Sequence, residues 1–475
     1  MRVHGRRPGD ERIRVQRVRP EEYRTAAPRR RRRPWPPALV LIFGFALMIG
    51  IGTIVLTLPI SSAAGQWTPI LDALFTATSA VCVTGLVVVD TGLYWSDFGH
   101  AVILLLIQAG GFGFMASSTL LLLLVIRRRT RLRDRVLVQQ TMGRGELGDV
   151  GGLVKRVAIF TLLVEGVGAL IVAGALAGQG MDLLQSAWFG VFHAISAFNN
   201  AGFDLMSQVG QQSLRGQAGD FVLLGAIGGA IVLGGLGYAI VEDVLRARRW
   251  QRFALETKVV LLTTIALVVA GTVTIAVTEW NNPLTLGALP IEQRALNALF
   301  ESVTLRTAGF SALDTAALRD PTLFVVMALM FIGGASGSTA GGIKVNTFSV
   351  LLIAITSTAL GRPSAEAFGR RIQHTVVYRA LAVALLSIAV LFMVGFTLEV
   401  LSDEGFVDVL FEAVSALGTV GASRGITAGL GDPAQLVLIF AMFIGRLGPL
   451  TLVLALTARA RPVSYRPAVE SMRIG

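Results

Sequence analysis

The ionisable residues of this chain make no catalytic set. Its four histidines, His4, His100, His193 and His374, are scattered, and its single cysteine is Cys82. No Cys/His spacing of a metal site occurs and no nucleophile–base pair stands out, so the chain reads as a non-enzyme without a bound cofactor. What recurs is glycine in a fixed context. The stretches LFTATSAVCVTGL (74–86), VFHAISAFNNAGF (191–203), LFESVTLRTAGF (299–310) and LFEAVSALGTVGAS (410–423) each carry a Phe, a small or hydroxyl residue at mid-length, and a Gly nine or ten residues after the Phe. Those glycines are Gly85, Gly202, Gly309 and Gly421. Glycine reaches backbone angles closed to other residues, so a strand at each one can turn successive carbonyls toward a common axis. The last stretch contains Thr419-Val420-Gly421, the opening of the TVGYG loop whose carbonyls replace the hydration shell of potassium. Any one glycine alone reads as an ordinary turn or packing residue. Four in register are an internal repeat, and the chemistry they suggest is dehydration of a cation by backbone oxygens.

A second small-residue run, FIGGASGSTAGGIKVNTF (331–348), interrupts an apolar segment. It is not a phosphate loop of the form G-x-x-x-x-G-K-[ST]: Lys344 is displaced by one position, Val345 stands where Ser or Thr is needed, and the flanks are too long and apolar for a strand. Each glycine costs a helix ~1 kcal/mol relative to alanine, so Gly333, Gly334, Gly337, Gly341 and Gly342 predict a break at membrane depth, with freed backbone groups facing water in a pore. The alternative is a helix-packing face through Gly333, Gly337 and Gly341, although Ser336 and Ser338 join Gly334 and Gly342 in crowding the other faces. Arg446, in FIGRLGPL, is a costly charge inside the last apolar segment and should face a pore or a partner. Arg306 reads as a structural brace, with Glu301 or Glu412 neutralising it from behind. Lys344 reads as a side chain reaching to the cytosolic interface.

The chain has 475 residues, of which 53% are hydrophobic and 15% charged, against roughly 25% charged in a soluble domain. Apolar segments near 38–58, 98–126, 155–177, 220–245, 258–279, 322–355, 376–400 and 434–457 approach or exceed the ~20 residues that span a bilayer. The glycine stretches lie between odd and even spans. At ~10–14 residues they are too short to cross and read as re-entrant half-helices with extended returns. Basic clusters at 127–135, 155–156, 246–252, 370–371 and 459–466 fall on one side, which places both termini in the cytoplasm of a cell-membrane protein. The first 33 residues carry thirteen of the arginines and read as a cytosolic arm facing membrane lipids, without the aromatic interleaving of a nucleic-acid arm. The predicted fold class is an all-α polytopic membrane protein: an arm (1–37), four membrane–pore–membrane repeats (38–126, 155–246, 258–355 and 376–458) and a tail (459–475). An alternating-access cation symporter is the competing class. The carboxylates it would use, Glu165 and Glu399, are read as lying toward span ends or outside the four glycine stretches.

The pieces VTGL, FNNAGF, RTAGF, GTVGAS, GGASGSTAGGIK and GRLGPLT resemble the superfamily of potassium transporters that includes bacterial Trk and Ktr membrane subunits and plant HKT proteins. The resemblance covers about residues 38 to 458, and eight visible spans suggest the Ktr-type subunit. It implies one pore per subunit, a homodimer, a cytosolic ring of nucleotide-binding regulatory subunits, potassium as the transported ion and sodium as a candidate activator. Carried over by position, it implies potassium-coordinating carbonyls on Val83, Thr84 and Gly85, on Asn200, Ala201 and Gly202, on Thr307, Ala308 and Gly309, and on Thr419, Val420 and Gly421. Only the fourth set keeps Thr-Val-Gly. The resemblance also implies an intramembrane gating loop at 333–343, made of Gly333, Gly334, Ser336, Gly337, Ser338, Thr339, Gly341 and Gly342, with Arg446 beside it.

Overall fold

The computed structural model describes residues 37–129 and 150–448. The arm 1–36, the basic residues 130–135 and the tail lie outside the described residues, as does the end of the last expected span. The described chain is almost wholly helical; its one hairpin pairs β1 (Glu366–Ala367) with β2 (Arg370–Arg371).

Long helices alternate with short ones. The first unit contains α1 (Pro37–Thr57), α2 (Ile70–Cys82), the single turn α3 (Thr91–Tyr94) and α4 (Asp97–Arg129). The second contains α5 (Val150–Gly178), α6 (Leu183–Asn199), α7 (Phe221–Leu236) and α8 (Tyr238–Ala247). The third contains α9 (Leu255–Glu279), α10 (Ile291–Thr304), α11 (Asp320–Phe331) and α12 (Val345–Ala359). The fourth contains α13 (His374–Leu401), α14 (Phe406–Gly418) and α15 (Asp432–Leu447).

Among the described residues, α1, α4, α5, α9 and α13 are long and apolar enough to cross a membrane, and the bent pair α7–α8 makes a sixth. Leu47, Ile54, Leu170, Val277 and Phe392 stand exposed on them. Helices apolar on every face belong in lipid, where such side chains need no protein partner. The expected span 322–355 is not a single long helix: α11 and α12 are separate short helices around the glycine run. The expected span 434–457 is described only to residue 448, with α15 ending at Leu447. The expected span 220–245 also departs from a straight helix, turning by 93° between α7 and α8. The turn is at Gly237, whose φ of +75° suits glycine alone. The apolar run through this residue conceals the corner.

The short helices α2, α6, α10 and α14 are the expected half-helices. Pro69 and Pro290 directly precede α2 and α10. Asp182 caps α6 by accepting from the Leu184 N–H at 3.1 Å, which satisfies a donor the helix start leaves free. The repeated Phe of each stretch (Phe75, Phe192, Phe300 and Phe411) is buried, so it recurs for packing. Three of the helices end on a residue of left-handed φ, at Val83 (57°), Asn200 (59°) and Thr419 (49°); in the third unit the same turn falls at Thr307 (77°).

In every unit the first helix packs on its own short helix: α1 on α2, α5 on α6, α9 on α10, α13 on α14. The helix after each short helix packs on the short helix of the next unit: α4 on α6, α7 on α10, α11 on α14, and α15 back on α2. The cyclic order closes.

Candidate functional site

The same cyclic order governs the four glycines. Gly85, Gly202, Gly309 and Gly421 have φ of 92°, 72°, 72° and 89°. A Cβ on Gly85 would strike the Ala201 carbonyl oxygen, and one on Gly202 would lie 2.7 Å from that of Ala308. On Gly309 it would strike the Val420 oxygen, and on Gly421 that of Thr84. Each glycine thus lies against the carbonyl that precedes the next unit's glycine, round to the start. The structure brings all four tripeptides together; ten of the twelve residues are buried, and Gly309 and Gly421 are half-buried. Two left-handed residues in each strand, separated by one other, let successive carbonyls face the same side instead of alternating as in an ordinary β-strand. The hydroxyls of Thr84, Thr307 and Thr419 are buried with no hydrogen-bond partner among the described residues.

Residues 332–344 lie directly against this ring. Thr339 Oγ1 donates at 3.0 Å to both the Phe198 carbonyl and Asn200 Oδ1. A Cβ on Gly341 would strike Thr419 Oγ1, and one on Gly333 would lie 3.1 Å from Thr307 Cγ2. The loop therefore touches the second, third and fourth strands on one side of the ring.

Its backbone is bonded by protein rather than left free as the sequence led us to expect. Gly333 N–H donates to the Ile343 carbonyl (3.0 Å) and Ile343 N–H to that of Phe331 (3.0 Å), so the two ends pair. Ala335 and Thr339 N–H groups donate to Gly235 and Gly234 at 2.8 and 3.2 Å, using carbonyls that α7 leaves open at its C-terminus. Ser336 N–H donates to Asn346 Oδ1 at 2.8 Å. Neighbouring elements replace water as the partners that buried backbone requires. Gly337, Ser338 and Gly342 complete the turns, with Gly337 and Gly342 at positive φ. The helix-packing alternative fails for Gly333, Gly337 and Gly341, none of which lies in a helix.

Two guanidinium groups hold the loop. Arg446, 1% exposed on α15, donates to the Thr339 carbonyl and to that of Gly110 at 3.3 Å; its guanidinium carbon lies 4.6 Å from the Phe114 ring centre. Arg306 Nη2 donates to the Gly333 carbonyl at 2.9 Å. This corrects the expected pairing of Arg306 with Glu301 or Glu412, which are bonded elsewhere. Glu301 accepts from the N–H groups of Ala312 (2.7 Å) and Leu313 (2.9 Å), and Glu412 from Thr427 Oγ1 (3.0 Å) and Ser423. Both carboxylates brace the chain leaving the ring. Lys344 also departs from expectation: Nζ donates back to the Ala340 carbonyl and lies 5.0 Å from the Phe114 ring centre. A lysine at the end of a tight loop finds that loop's carbonyl sooner than a distant interface.

Glu165 is the third correction. It lies midway along α5 and is 5% exposed, not near a span end; Glu399 is exposed near the end of α13, as expected. On the ring face away from the loop is a cavity of about 690 Å³, bordered by Gly85, Gly202, Gly421, Asp90, Asp204 and Arg215. Asp204 follows the second strand in a loop; burial, then the nearby Asp90 charge, pushes its carboxyl up to about 6.

A sequence model of the TrkH family, described as cation transport protein, matches residues 39–461. This chain belongs to that family. The TrkH-family assignment makes it a transporter of the membrane rather than an enzyme. The chain is 40% identical over 423 residues to the Ktr system potassium uptake protein B of Bacillus subtilis, covering 88% of this chain and 92% of that one. It is 35% identical to the protein of the same name from Vibrio alginolyticus (92% and 94% covered). It is 34% identical to the potassium/sodium uptake protein NtpJ of Enterococcus hirae (95% and 100%). Its fold is similar to the crystal structure of the potassium transporter TrkH from Vibrio parahaemolyticus, with a TM-score of 0.68 and 16% identity over 90% of this chain and 86% of that one. Sequence reasoning on this TrkH-family chain missed Asn199, Gln108 and Gly237. The pair Asn199-Asn200 in FNNAGF was the one available signal, since two adjacent amides at the end of an apolar helix need partners.

Proposed function

We propose that this chain is the potassium-translocating subunit of a membrane uptake system, conducting passively through the glycine ring and gated by residues 333–343. The observation that carries this reading is the closed ring of four positive-φ glycines, each seated against the next unit's carbonyl; in this reading the ring encircles a path lined by backbone oxygens. Such oxygens replace ion hydration, and extended backbone at membrane depth needs a path or a protein wall beside it. In this reading the coordinating carbonyls belong to the four tripeptides ending at Gly85, Gly202, Gly309 and Gly421. Water moving in file with the ion gives the three unpartnered threonine hydroxyls the partner buried hydroxyls ordinarily have. The loop, pinned by Arg306 and Arg446, closes the path from one side.

The names of the relatives support potassium as the ion, and NtpJ supports a part for sodium. The "Ktr system" relatives support a regulatory partner, for which we propose a cytosolic nucleotide-binding ring beneath a homodimer. The distribution of basic clusters supports cytoplasmic termini. The test is potassium uptake in a transport-deficient bacterium, with and without added sodium, alongside currents from the purified protein in bilayers. Currents that reverse at the potassium equilibrium potential are expected. Uptake coupled to another ion against the potassium gradient would replace this reading with the symporter.

A further inference from the structure

We propose that Glu165 is a positioning residue that sets the ion discrimination of the second glycine strand through Asn199. The inference rests on assigning Asn200–Gly202 to the ion path. Glu165 is buried in the middle of a membrane helix, and no Lys or Arg among the described residues pairs with it. Such a carboxyl is expensive in a bilayer and ordinarily has a function. Its two oxygens are used separately. Asn199 Nδ2 donates to Oε1 at 3.1 Å, and Gln108 Nε2, from α4, donates to Oε2 at 3.2 Å. Asn199 Nδ2 also reaches Gln108 Oε1 at 2.9 Å and the Ile195 carbonyl at 2.9 Å. The three side chains close a small polar triangle behind the ring.

Asn199 is the last residue of α6, and Asn200 takes the left-handed turn that starts the strand. Fixing the Asn199 side chain therefore fixes the turn that aims the Asn200 carbonyl. Asn200 is tied on its other side, where its Oδ1 accepts from Thr339 of the loop. The positions three before each glycine differ: Cys82, Asn199, Arg306 and Gly418. Only the second and third units hold a polar side chain there. In the second it is bonded to a carboxyl, and in the third it is a guanidinium on the Gly333 carbonyl. The ring is thus supported asymmetrically, and Glu165 is the acidic part of that support.

Glu165→Gln keeps the volume but replaces one acceptor by an NH2 group that faces an amide donor. One amide must then turn over. Turning over Gln108 sets its NH2 group against Asn199 Nδ2, and turning over Asn199 sets its oxygen against Gln108 Oε1 and the Ile195 carbonyl; either way a contact that holds the Asn199 side chain is lost. We expect Glu165→Gln to reach the membrane at normal abundance and to lower the potassium-to-sodium permeability ratio by about tenfold, equivalent to 1.4 kcal/mol of differential ion binding. Asn199→Ser should act in the same direction, and the double variant should be no worse than the stronger single one, as for two residues acting through one contact. If Glu165→Gln is not recovered in the membrane, Asn199→Ser and Gln108→Leu decide the matter by the same ratio. Gly421→Ser, at the most tightly seated of the four glycines, serves as the control. If it loses discrimination while the Glu165, Asn199 and Gln108 variants keep the wild-type ratio, the inference is wrong and the ring stands. If Gly421→Ser also keeps the ratio, the ring assignment falls and takes the inference with it.

Discussion

Gly85 and Gly421, at φ of 92° and 89°, lie well outside the left-handed well that other residues occupy at about +50 to +70°. Gly202 and Gly309, at 72°, lie near its edge. Of these two, Gly202 has more room, with 2.7 Å between an added Cβ and the Ala308 oxygen. Substitution by serine should therefore be graded. Gly202→Ser should keep the most potassium-over-sodium discrimination and Gly85→Ser and Gly421→Ser the least, as measured by bi-ionic reversal potentials; an equal loss at all four positions would contradict the geometry. The two loop arginines make a second residue-level comparison. Each donates to a loop carbonyl, and a charge-assisted hydrogen bond contributes about 1.5–3 kcal/mol, or roughly 10- to 150-fold in a two-state equilibrium. Arg446→Ala should raise potassium flux and weaken its dependence on a regulatory partner, with selectivity retained. Reduced flux from a variant present at normal abundance would exclude a holding role for Arg446.

At the scale of elements, α7 and the loop form one device. The corner at Gly237 is set against the loop, where an added Cβ would lie 2.8 Å from the Gly337 carbonyl oxygen and 3.0 Å from Ser338 Cα. The open end of α7 supplies the carbonyls of Gly234 and Gly235 to the loop. Gly237→Ala meets both a forbidden φ and a backbone contact, so it should displace the loop and leave the four glycines alone. We expect higher flux at unchanged ion selectivity in a flux assay on reconstituted vesicles. Deleting Gly334 to Gly341 should do the same more strongly, because it removes the segment lying beneath three of the four strands. An unchanged flux in a deletion variant that reaches the membrane would show that these residues do not close the path.

For the whole molecule, the two faces of the ring differ in charge. The loop face presents Arg446 and Lys344 to a cavity of about 270 Å³, whereas the opposite cavity is bordered by Asp90, Asp204 and Asp314 and by two arginines that are paired, Arg215 with Asp314 at 3.0 Å and Arg424 with Asp408 at 2.6 Å. Carboxylates at a mouth raise the local cation concentration. Asp204 titrates at about 6 because burial, and then Asp90, disfavour its ionised form. It is charged above that pH and neutral below it. Potassium uptake at low external potassium should therefore fall as external pH drops from about 7 to 5, with a midpoint near 6. Asp204→Asn should start at the lower level and lose that step, and a variant with an unaltered pH profile would remove Asp204 from the entry path.

The family, the helical class and the repeated Phe-to-Gly stretches were legible in the sequence, since each depends on a local pattern: apolar length, a recurring spacing, and glycine where other residues cannot turn. The break in 331–348 was legible for the same reason, because consecutive glycines weaken a helix wherever it sits. The partners of the buried charges became visible in the folded chain alone. Arg306 and the Gly333 carbonyl, Arg446 and Thr339, and Glu165 and Asn199 are separated by 27, 107 and 34 residues, and no local spacing encodes such contacts. Nor could the apolar run through 220–245 show its corner at Gly237, because lipid accepts a straight helix there. The bend follows from the loop of the third unit lying against the second, a contact that exists only once the ring has closed.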